Sequence, residues 1–294
     1  MVQSTDKWVR LHDGRRLGYL SCGDESGLTV FYCHGFPGSR LEVLLADRMA
    51  AYHSIRLVGV DRPGYGLSDV KPGRSLISWA DDIVALADYL NVTRFSVLGV
   101  SGGVPYAIAC AFMLPSRLFS VGLACGLAPI RTAGILNGMT LINRFGLMLS
   151  AKVPSLIRTA LVPLSILLRR RPAIALSIMA SRAKLPDRSY LRRRDIGTVM
   201  CATFREAMRF GVAGAVSDLR LYGTRWGFQL DDIRVPVDLW HGEKDRIVPV
   251  AMGRWLANAI PDCQARFLPQ HGHFSLILEG MQAMLGQFVA RNHS

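Results

Sequence analysis

A serine between glycines is the residue best suited to covalent chemistry in this chain of 294 residues. Ser101 lies in the run Gly99-Val100-Ser101-Gly102-Gly103, with a strand-type run before it and a helix-type run after it. A sharp turn of this kind exposes the hydroxyl of the serine. Only small residues fit at the positions two before and two after it, here Gly99 and Gly103. Free N–H groups at the start of the next helix favour developing negative charge. The run predicts a nucleophile that attacks an acyl carbon, and the alternative is a glycine-rich turn without a catalytic role.

A serine nucleophile needs a histidine as general base and an acid that orients the histidine. On the fold where this turn occurs, the acid and then the histidine follow the serine along the chain. Asp245 follows a strand-type run, which places it at the carboxyl edge of a sheet, and Glu243 is the competing acid. Asp238 lies within the strand itself. His273 directly precedes the last helix-type run and follows a glycine, and His271 is the competing histidine. We predict Asp245 as the acid and His273 as the base.

The oxyanion formed during acyl transfer needs preorganised N–H donors. The backbone N–H of Gly102, directly after the serine, is the first candidate. The second is the N–H of Phe36 in the run HGFPG at 34–38, because Pro37 in the same loop has no N–H. His34 is a possible base by type, but we expect it to hold this loop through hydrogen bonds.

Alternating strand and helix patterns position these residues. The strand-type runs are Gly18–Cys22, Leu28–Cys33, Ile55–Val60, Phe95–Val100, Leu118–Cys125, Val235–Trp240 and Ala265–Leu268. The helix-type runs are Ser39–Tyr52, Leu76–Leu90, Gly102–Leu114, Val250–Ala259 and Phe274–Arg291. The alternation predicts an α/β fold with a mostly parallel central sheet flanked by helices.

The alternation stops between residues 127 and 226. This segment reads as helices rich in Leu, Ile, Met and Arg, without a clear strand. We therefore predict an α/β core domain built from residues 1–126 and 227–294, interrupted by a helical insertion at 127–226.

The insertion also carries the whole net charge of +13. Residues 127–226 contain 17 Lys and Arg against 4 Asp and Glu, and the rest of the chain contains 18 of each. Three interpretations stay open: a solvated basic face over an insertion that buries its apolar stripe on the core, a surface that meets anionic lipid, and an entrance that steers anionic substrates. Nucleic-acid binding is not predicted, because the basic residues match no recognised motif.

Composition narrows the class of protein further. Half of the residues are hydrophobic, which is enough for a sizeable core. We predict no secretory signal, because the first residues contain no apolar run. We predict no membrane span, because the one long window without charges, Phe95–Ser116, is divided by glycines and a proline. The six cysteines form no C-x-x-C pair and show no spacing typical of metal ligands. We expect reduced thiols, a cytoplasmic location and no metal or organic cofactor.

Five motifs in chain order resemble the α/β-hydrolase superfamily, in its cap-bearing, serine esterase/lipase-like branch. They are HGFPG at 34–38, DRPGYGLSD at 61–69, GVSGG at 99–103, GEKDRIVP at 242–249 and GHF at 272–274. The resemblance covers about residues 15–126 and 227–292. It implies a catalytic triad of Ser101, Asp245 and His273, an oxyanion hole formed by Phe36 and Gly102, a structural loop at 61–66, and a helical cap at 127–226 over the site.

The resemblance implies a hydrolase that cleaves a carboxylic ester or lactone through an acyl-enzyme on Ser101. Dehalogenases and epoxide hydrolases of the superfamily carry aspartate at the nucleophile position, so the serine argues against both. A C–C bond hydrolase, a perhydrolase or haloperoxidase, and a ligand receptor without turnover remain alternatives. The expected partner is a small, apolar ester or lactone, with peripheral membrane contact through the basic cap as a further possibility. Tyr222, Trp226 and Phe228 either line the pocket or pack as a hinge.

Overall fold

The computed structural model describes residues 7–130, 132, 134–150 and 152–292. Eight strands form one sheet in the order β1-β2-β4-β3-β5-β6-β7-β8. The strands are β1 (Lys7–Arg10), β2 (Arg16–Gly23), β3 (Leu28–Cys33), β4 (Ile55–Val60), β5 (Phe95–Val100), β6 (Leu118–Ala124), β7 (Val237–Gly242) and β8 (Cys263–Leu268). In the order of the sheet, neighbouring strands from β4 to β8 run parallel to one another. The pairs β1–β2 and β2–β4 are antiparallel. The predicted α/β fold with a mostly parallel sheet is confirmed.

The central strands are almost wholly buried because helices cover both faces of the sheet. The helices outside the insertion are α1 (Asp47–Tyr52), α2 (Ser78–Tyr89), α3 (Val104–Met113), α10 (Val250–Ala259) and α11 (His273–Asn292). Helices α1 and α11 pack on one face, and α2, α3 and α10 pack on the other. The carboxyl ends of the parallel strands therefore meet at one edge, which is where ligands bind in sheets of this type.

Between β6 and β7, the described residues form six α-helices and no strand. They are α4 (Leu141–Ser150), α5 (Pro154–Arg170), α6 (Pro172–Arg182), α7 (Asp187–Leu191), α8 (Arg194–Ala207) and α9 (Ala213–Gly223). We call α4–α9 the inserted helices. Helix α7 packs on α11, and α8 packs on the 3-10 turn Arg40–Leu45. The division into a core and a cap stays a prediction, and its outermost residues, 1–6 and 293–294, lie outside the described residues.

One predicted helix is divided. Residues 39–52 form a 3-10 turn at Arg40–Leu45 and then the short helix α1, not one continuous helix. Asp61 explains the difference, because its carboxylate accepts hydrogen bonds from both the backbone N–H and the guanidinium of Arg40, at 2.7 Å each. This contact ties the first turn to the end of β4, and the chain leaves helical backbone angles at Ala46, where φ is −114° and ψ is 1°.

None of the helices in the described ranges combines the length and the apolar character that crossing a bilayer requires.

Candidate active site

Ser101 lies on a strained turn at the carboxyl end of β5. Its φ of 55° places a non-glycine residue in the left-handed region, which is uncommon outside functional turns. The 3-10 turn Ser101–Gly103 follows and leads into α3. A Cβ at Gly99 would lie 2.7 Å from the Cβ of Ala107, and one at Gly103 would overlap the carbonyl oxygen of Cys33. These close approaches explain why glycine flanks the serine on both sides.

A chain of hydrogen bonds joins Ser101 to His273 and Asp245. The Nε2 atom of His273 lies 3.0 Å from the Ser101 Oγ atom, and its Nδ1 atom lies 2.6 Å from the Asp245 carboxylate. His273 is the first residue of α11. Asp245 belongs to the loop after β7, and its other oxygen accepts hydrogen bonds from the N–H groups of Ile247 and Val248. The structure therefore brings the three predicted residues together in the geometry of a base and its orienting acid.

The electrostatics of this group suit proton acceptance. Burial lowers the pKa of His273, but the carboxylate of Asp245, helped by those of Asp187 and Glu42, outweighs burial and the net pKa lies above the usual range of histidine. Burial raises the pKa of Asp245, but His273 outweighs burial in turn and leaves the carboxyl pKa below its usual range. Asp245 therefore stays ionised and favours the imidazolium form of its neighbour.

The competing residues point to other partners. Glu243 is bound to Arg254 at 2.7 Å, and Asp238 is bound to Arg266 and Arg291. His271, the competing histidine, has its Nδ1 atom 3.4 Å from the carboxylate of Glu279 on α11.

Phe36 and Gly102, the predicted oxyanion-hole residues, lie side by side. A Cβ built at Gly102 would be 2.8 Å from the Cβ of Phe36. The loop of Phe36 also comes close to the nucleophile, because a Cβ at Gly35 would lie 3.8 Å from the Cβ of Ser101. The two candidate N–H donors thus belong to neighbouring backbone segments next to the serine.

His34 holds the loop after β3, as its sequence position suggested. Its Nδ1 atom lies 2.9 Å from the carbonyl oxygen of Gly35, and its Nε2 atom accepts a hydrogen bond from the Arg62 N–H at 3.2 Å. Burial moves the pKa of His34 well below its usual value, so the ring is neutral. A neutral ring with one donor and one acceptor fits both contacts.

A buried ionic cluster supports the same loop, and sequence reasoning missed it. The guanidinium of Arg62 donates to the carbonyl oxygens of His34 and Gly35 and to the carboxylate of Asp218 on α9. The Tyr222 hydroxyl donates to the carbonyl oxygen of Gly102 at 2.8 Å. One inserted helix thus reaches both backbone segments of the predicted oxyanion hole.

Asp218 is the centre of this cluster. It is fully buried and bound to two arginines, Arg62 at 2.8 Å and Arg74 at 2.5 Å. It also accepts hydrogen bonds from the hydroxyls of Tyr65 and Tyr106, and the Tyr222 hydroxyl, which donates to Gly102, lies 3.2 Å away. Burial raises the pKa of Asp218, but the two arginines outweigh it and the net pKa lies far below the usual range. The carboxylate is therefore ionised and satisfied on every side.

A second inserted acid holds the histidine. Asp187, the first residue of α7, accepts hydrogen bonds from the backbone N–H groups of His273 and Ser275 at 2.9 Å each, and from the Ser275 hydroxyl. A Cβ at Gly272 would lie 2.6 Å from its carboxylate, so glycine is required there. The scarcity of acids in the insertion was the one signal in the sequence that could have drawn attention to Asp187 and Asp218.

Glu42 is a further carboxyl group beside the site. Its Oε2 atom accepts hydrogen bonds from the Gly35 N–H at 2.9 Å and from the Tyr32 hydroxyl at 3.2 Å. Burial raises the pKa of Glu42 to about 7. The loop that carries Phe36 is therefore anchored on a group that titrates near neutral pH.

The three aromatic residues predicted near the end of the insertion have different surroundings. Tyr222 is buried under Gly102, as described above. Phe228 stacks on Phe112 at the end of α3, with ring centroids 5.2 Å apart, and Trp226 packs beside Phe228. Both pack with the main hydrophobic core, in the manner of the hinge-packing alternative.

Cys125 joins Asp245 and His273 in one group of metal-ligand type, with ligand atoms within 4.8 Å of one another. The 2.6 Å between the Asp245 oxygen and the His273 nitrogen is a hydrogen-bond distance. Burial raises the pKa of the Cys125 thiol well above its usual value, which disfavours the thiolate that binds metals. The group therefore fits a hydrogen-bonded acid and base better than a metal centre.

Comparison with curated proteins finds partial relatives. The chain is 26% identical over 266 residues to the dihydrolipoyllysine-residue acetyltransferase component of the acetoin cleaving system of Pseudomonas putida, covering 88% of this chain and 62% of that protein. It is 37% identical over 84 residues to the pimeloyl-[acyl-carrier protein] methyl ester esterase of Aromatoleum aromaticum, covering 28% of this chain and 33% of that protein. The chain thus spans less than two thirds of the length of either relative.

Comparison with solved structures covers almost the whole chain. An esterase from Exiguobacterium antarcticum superposes with a TM-score of 0.69 over 99% of this chain and 100% of its own, at 18% identity. This likeness shows the fold. The model of the family described as "Alpha/beta hydrolase family" matches residues 30–286, most of the sequence. The chain therefore belongs to the alpha/beta hydrolase family.

Proposed function

We propose that this hydrolase cleaves a carboxylic ester or lactone through an acyl-enzyme on Ser101. The observation that carries the proposal is the hydrogen-bonded chain from Ser101 through His273 to Asp245, built on a strained turn at the carboxyl edge of the sheet. The printed name of the relative from Aromatoleum aromaticum, a methyl ester esterase, supports an ester substrate.

In the proposed first step, the Ser101 oxygen attacks the acyl carbon while its proton passes to Nε2 of His273. The carbonyl oxygen becomes an oxyanion, which accepts hydrogen bonds from the N–H groups of Phe36 and Gly102. Each such donor lowers the barrier by about 3–4 kcal/mol. The intermediate then collapses, and the alcohol oxygen leaves with the proton from His273. Asp245 stabilises the imidazolium throughout.

In the second step, His273 takes a proton from water, and the resulting oxygen nucleophile attacks the acyl carbon of the ester on Ser101. Collapse of this intermediate returns the proton to the serine oxygen and releases the carboxylic acid. A lactone substrate follows the same steps, with the alcohol and the acid as two ends of one product. Neither step draws on any reactant besides substrate and water.

The inserted helices act in this proposal as a cap that shapes the acyl and alcohol pockets. Two of them supply Asp187 and Asp218, which hold the histidine and the oxyanion loop. A cytoplasmic location belongs to the same proposal and is supported by six cysteines that are all free thiols.

Hydrolysis of a series of p-nitrophenyl esters, from short to long acyl chains, tests the proposal in wild type and Ser101→Ala. We expect turnover and fluorophosphonate labelling in wild type, and neither in Ser101→Ala. Ser120→Ala, at a buried serine of β6 outside the site, is the matched control and should keep both. A wild-type protein that neither labels nor hydrolyses any ester of the series would reject the proposal in favour of a ligand receptor.

A further inference from the structure

Helix α4 carries apolar residues on its outward side as well as on the side that packs on α9. Leu141, Phe145 and Met148 follow one another at intervals of four and three residues, so they share one face. They are 69%, 56% and 46% exposed. On the opposite side, Leu147 and Ser150 are 6% and 1% exposed. The outward face of α4 is therefore more apolar than a surface in contact with water alone requires.

The neighbouring helices continue this apolar surface. Val162 and Ile166, one turn apart on α5, are both exposed, and so are Ile174 and Ile178, one turn apart on α6. Helices α4 and α5 both pack on α9, and α5 and α6 both pack on α8. The outer faces of α4, α5 and α6 are thus directed away from the same inner layer, and we call them together the α4–α6 surface.

Arginines surround the apolar residues of the α4–α6 surface. Arg158, Arg169, Arg170, Arg171 and Arg182 are all exposed. Within the described part of the chain, no carboxylate lies at ion-pair distance from any of the five. Their charge is therefore available to a partner.

The four acids of the insertion explain why this charge is unbalanced. Asp187 is hydrogen-bonded to the backbone of α11, Glu206 pairs with Arg40, and Asp218 pairs with Arg62 and Arg74. Three of the four acids are thus used on the side that faces the rest of the molecule. The fourth, Asp195, is an exposed residue of α8 that pairs with Arg193, two positions before it in the sequence.

We propose that the α4–α6 surface docks on an anionic lipid bilayer. At the boundary between head groups and acyl chains, Leu, Phe, Met and Ile side chains leave water, and arginines meet lipid phosphates and carboxylates. A second copy of the chain would place the five arginines opposite five others, which is repulsive. Nucleic acid would accept the arginines but would leave the apolar side chains in water. The interpretation of a solvated basic face with its apolar stripe on the core accounts for the buried side of the inserted helices, but it gives no role to the outward apolar face of α4.

Co-sedimentation of the full chain with vesicles tests this proposal without reference to hydrolysis. One set of vesicles is phosphatidylcholine alone, and the other is three parts phosphatidylcholine to one part phosphatidylserine. We expect binding to the second set only. Raising the salt from about 0.1 M to about 1 M shortens the screening length from about 10 Å to about 3 Å and should release most of the bound protein.

Variants separate the two components of the surface. Arg169→Gln with Arg170→Gln should weaken partition into the anionic vesicles at least tenfold, because each surface arginine contributes about 1 kcal/mol, roughly fivefold in affinity. Phe145→Ser with Met148→Ser should weaken it by about tenfold through lost apolar burial. The matched controls lie outside the insertion: Arg48→Gln, an exposed arginine of α1, and Tyr89→Ser, an exposed aromatic residue of α2. Both controls should bind as wild type does, and circular dichroism checks that each variant is folded.

Three results would overturn the proposal. The first is wild-type protein that stays in the supernatant with anionic vesicles at low salt. The second is equal loss of binding in the control variants and in the α4–α6 variants. The third is light scattering that shows a dimer without lipid, dissociated by Phe145→Ser with Met148→Ser, since that would assign the surface to a second copy of the chain.

Discussion

At the scale of single residues, Asp245 sets the protonation of His273. A base must be neutral to accept the serine proton, and the carboxylate raises the pKa of the buried imidazole. We therefore expect kcat/KM of wild type to fall as pH drops through a histidine pKa that lies above the usual range. Asp245→Asn removes the charge, so the acidic limb should move to lower pH while the plateau of kcat falls by about 10⁴-fold.

The measurement is a pH profile of p-nitrophenyl ester hydrolysis for both proteins. Asp238→Asn is the matched control, because Asp238 is a buried carboxylate of β7, the strand that precedes Asp245, and it binds Arg266 and Arg291 instead of the histidine. Its profile should keep the wild-type acidic limb. An unshifted limb in Asp245→Asn would show that another group orients His273.

Glu42 gives a second prediction at this scale, on stability. Burial raises its pKa from 4.5 to about 7 in the folded protein. Between pH 4.5 and about 7, Glu42 is therefore protonated in the folded protein and ionised in the unfolded chain. Its contribution to the free energy of unfolding is complete below pH 4.5 and is lost as the pH rises toward about 7. Glu42→Gln keeps an oxygen acceptor for Gly35 and Tyr32 and does not ionise.

Thermal unfolding at a series of pH values measures the effect. The unfolding midpoint of Glu42→Gln relative to wild type should increase between pH 4.5 and pH 8. Glu25→Gln, at an exposed carboxylate, should show no such increase. A constant difference for Glu42→Gln across this range would mean that the carboxyl titrates normally.

At the scale of elements, the short helix α7 positions the start of α11. Asp187→Ala leaves the N–H groups of His273 and Ser275 without their acceptor and removes a negative charge that raises the pKa of His273. A displacement of about 1 Å at a reacting group costs about 10²-fold in rate. We expect kcat to fall by about that factor, with a smaller change in KM and an acidic limb moved to lower pH.

Asp195→Ala is the control for this prediction, because Asp195 lies on the next helix and pairs with exposed Arg193 at the surface. It should leave kcat and the pH profile as in wild type. If Asp187→Ala is less stable than wild type but keeps the wild-type kcat and acidic limb, Asp187 has a structural role alone.

The sequence predicts the parts of the site that lie within single elements and the turns next to them, and it does not predict contacts between distant elements. The Ser101 turn, Asp245 and His273 follow from local patterns of strand, turn and helix, which a sequence displays directly. Asp187 and Asp218 contact partners 86 and 156 positions away, and no local pattern marks such pairs. The division of the predicted helix at Ala46 was missed for the same reason, because the first turn is tethered by Asp61, 21 residues after Arg40.

At the scale of the whole molecule, the inserted helices and the sheet are joined by buried charges. Asp218 on α9 pairs with Arg62 and Arg74, both from the connection between β4 and α2, and all three side chains are almost completely buried. Removing one partner of a buried ion pair leaves an uncompensated charge, which costs about 3–5 kcal/mol. Asp218→Asn should therefore lower the free energy of unfolding by about that amount.

Urea unfolding, followed by far-UV circular dichroism and tryptophan fluorescence, measures this change. Wild type should unfold in one transition by both probes, because the insertion is bound to the core through Asp187, Glu206 and Asp218 together. In Asp218→Asn the midpoint should fall, while Asp195→Asn at the surface should leave it unchanged. A wild-type protein with two separate transitions would contradict this view, since the inserted helices would then be an independent unit and not a part of the site that they help to hold.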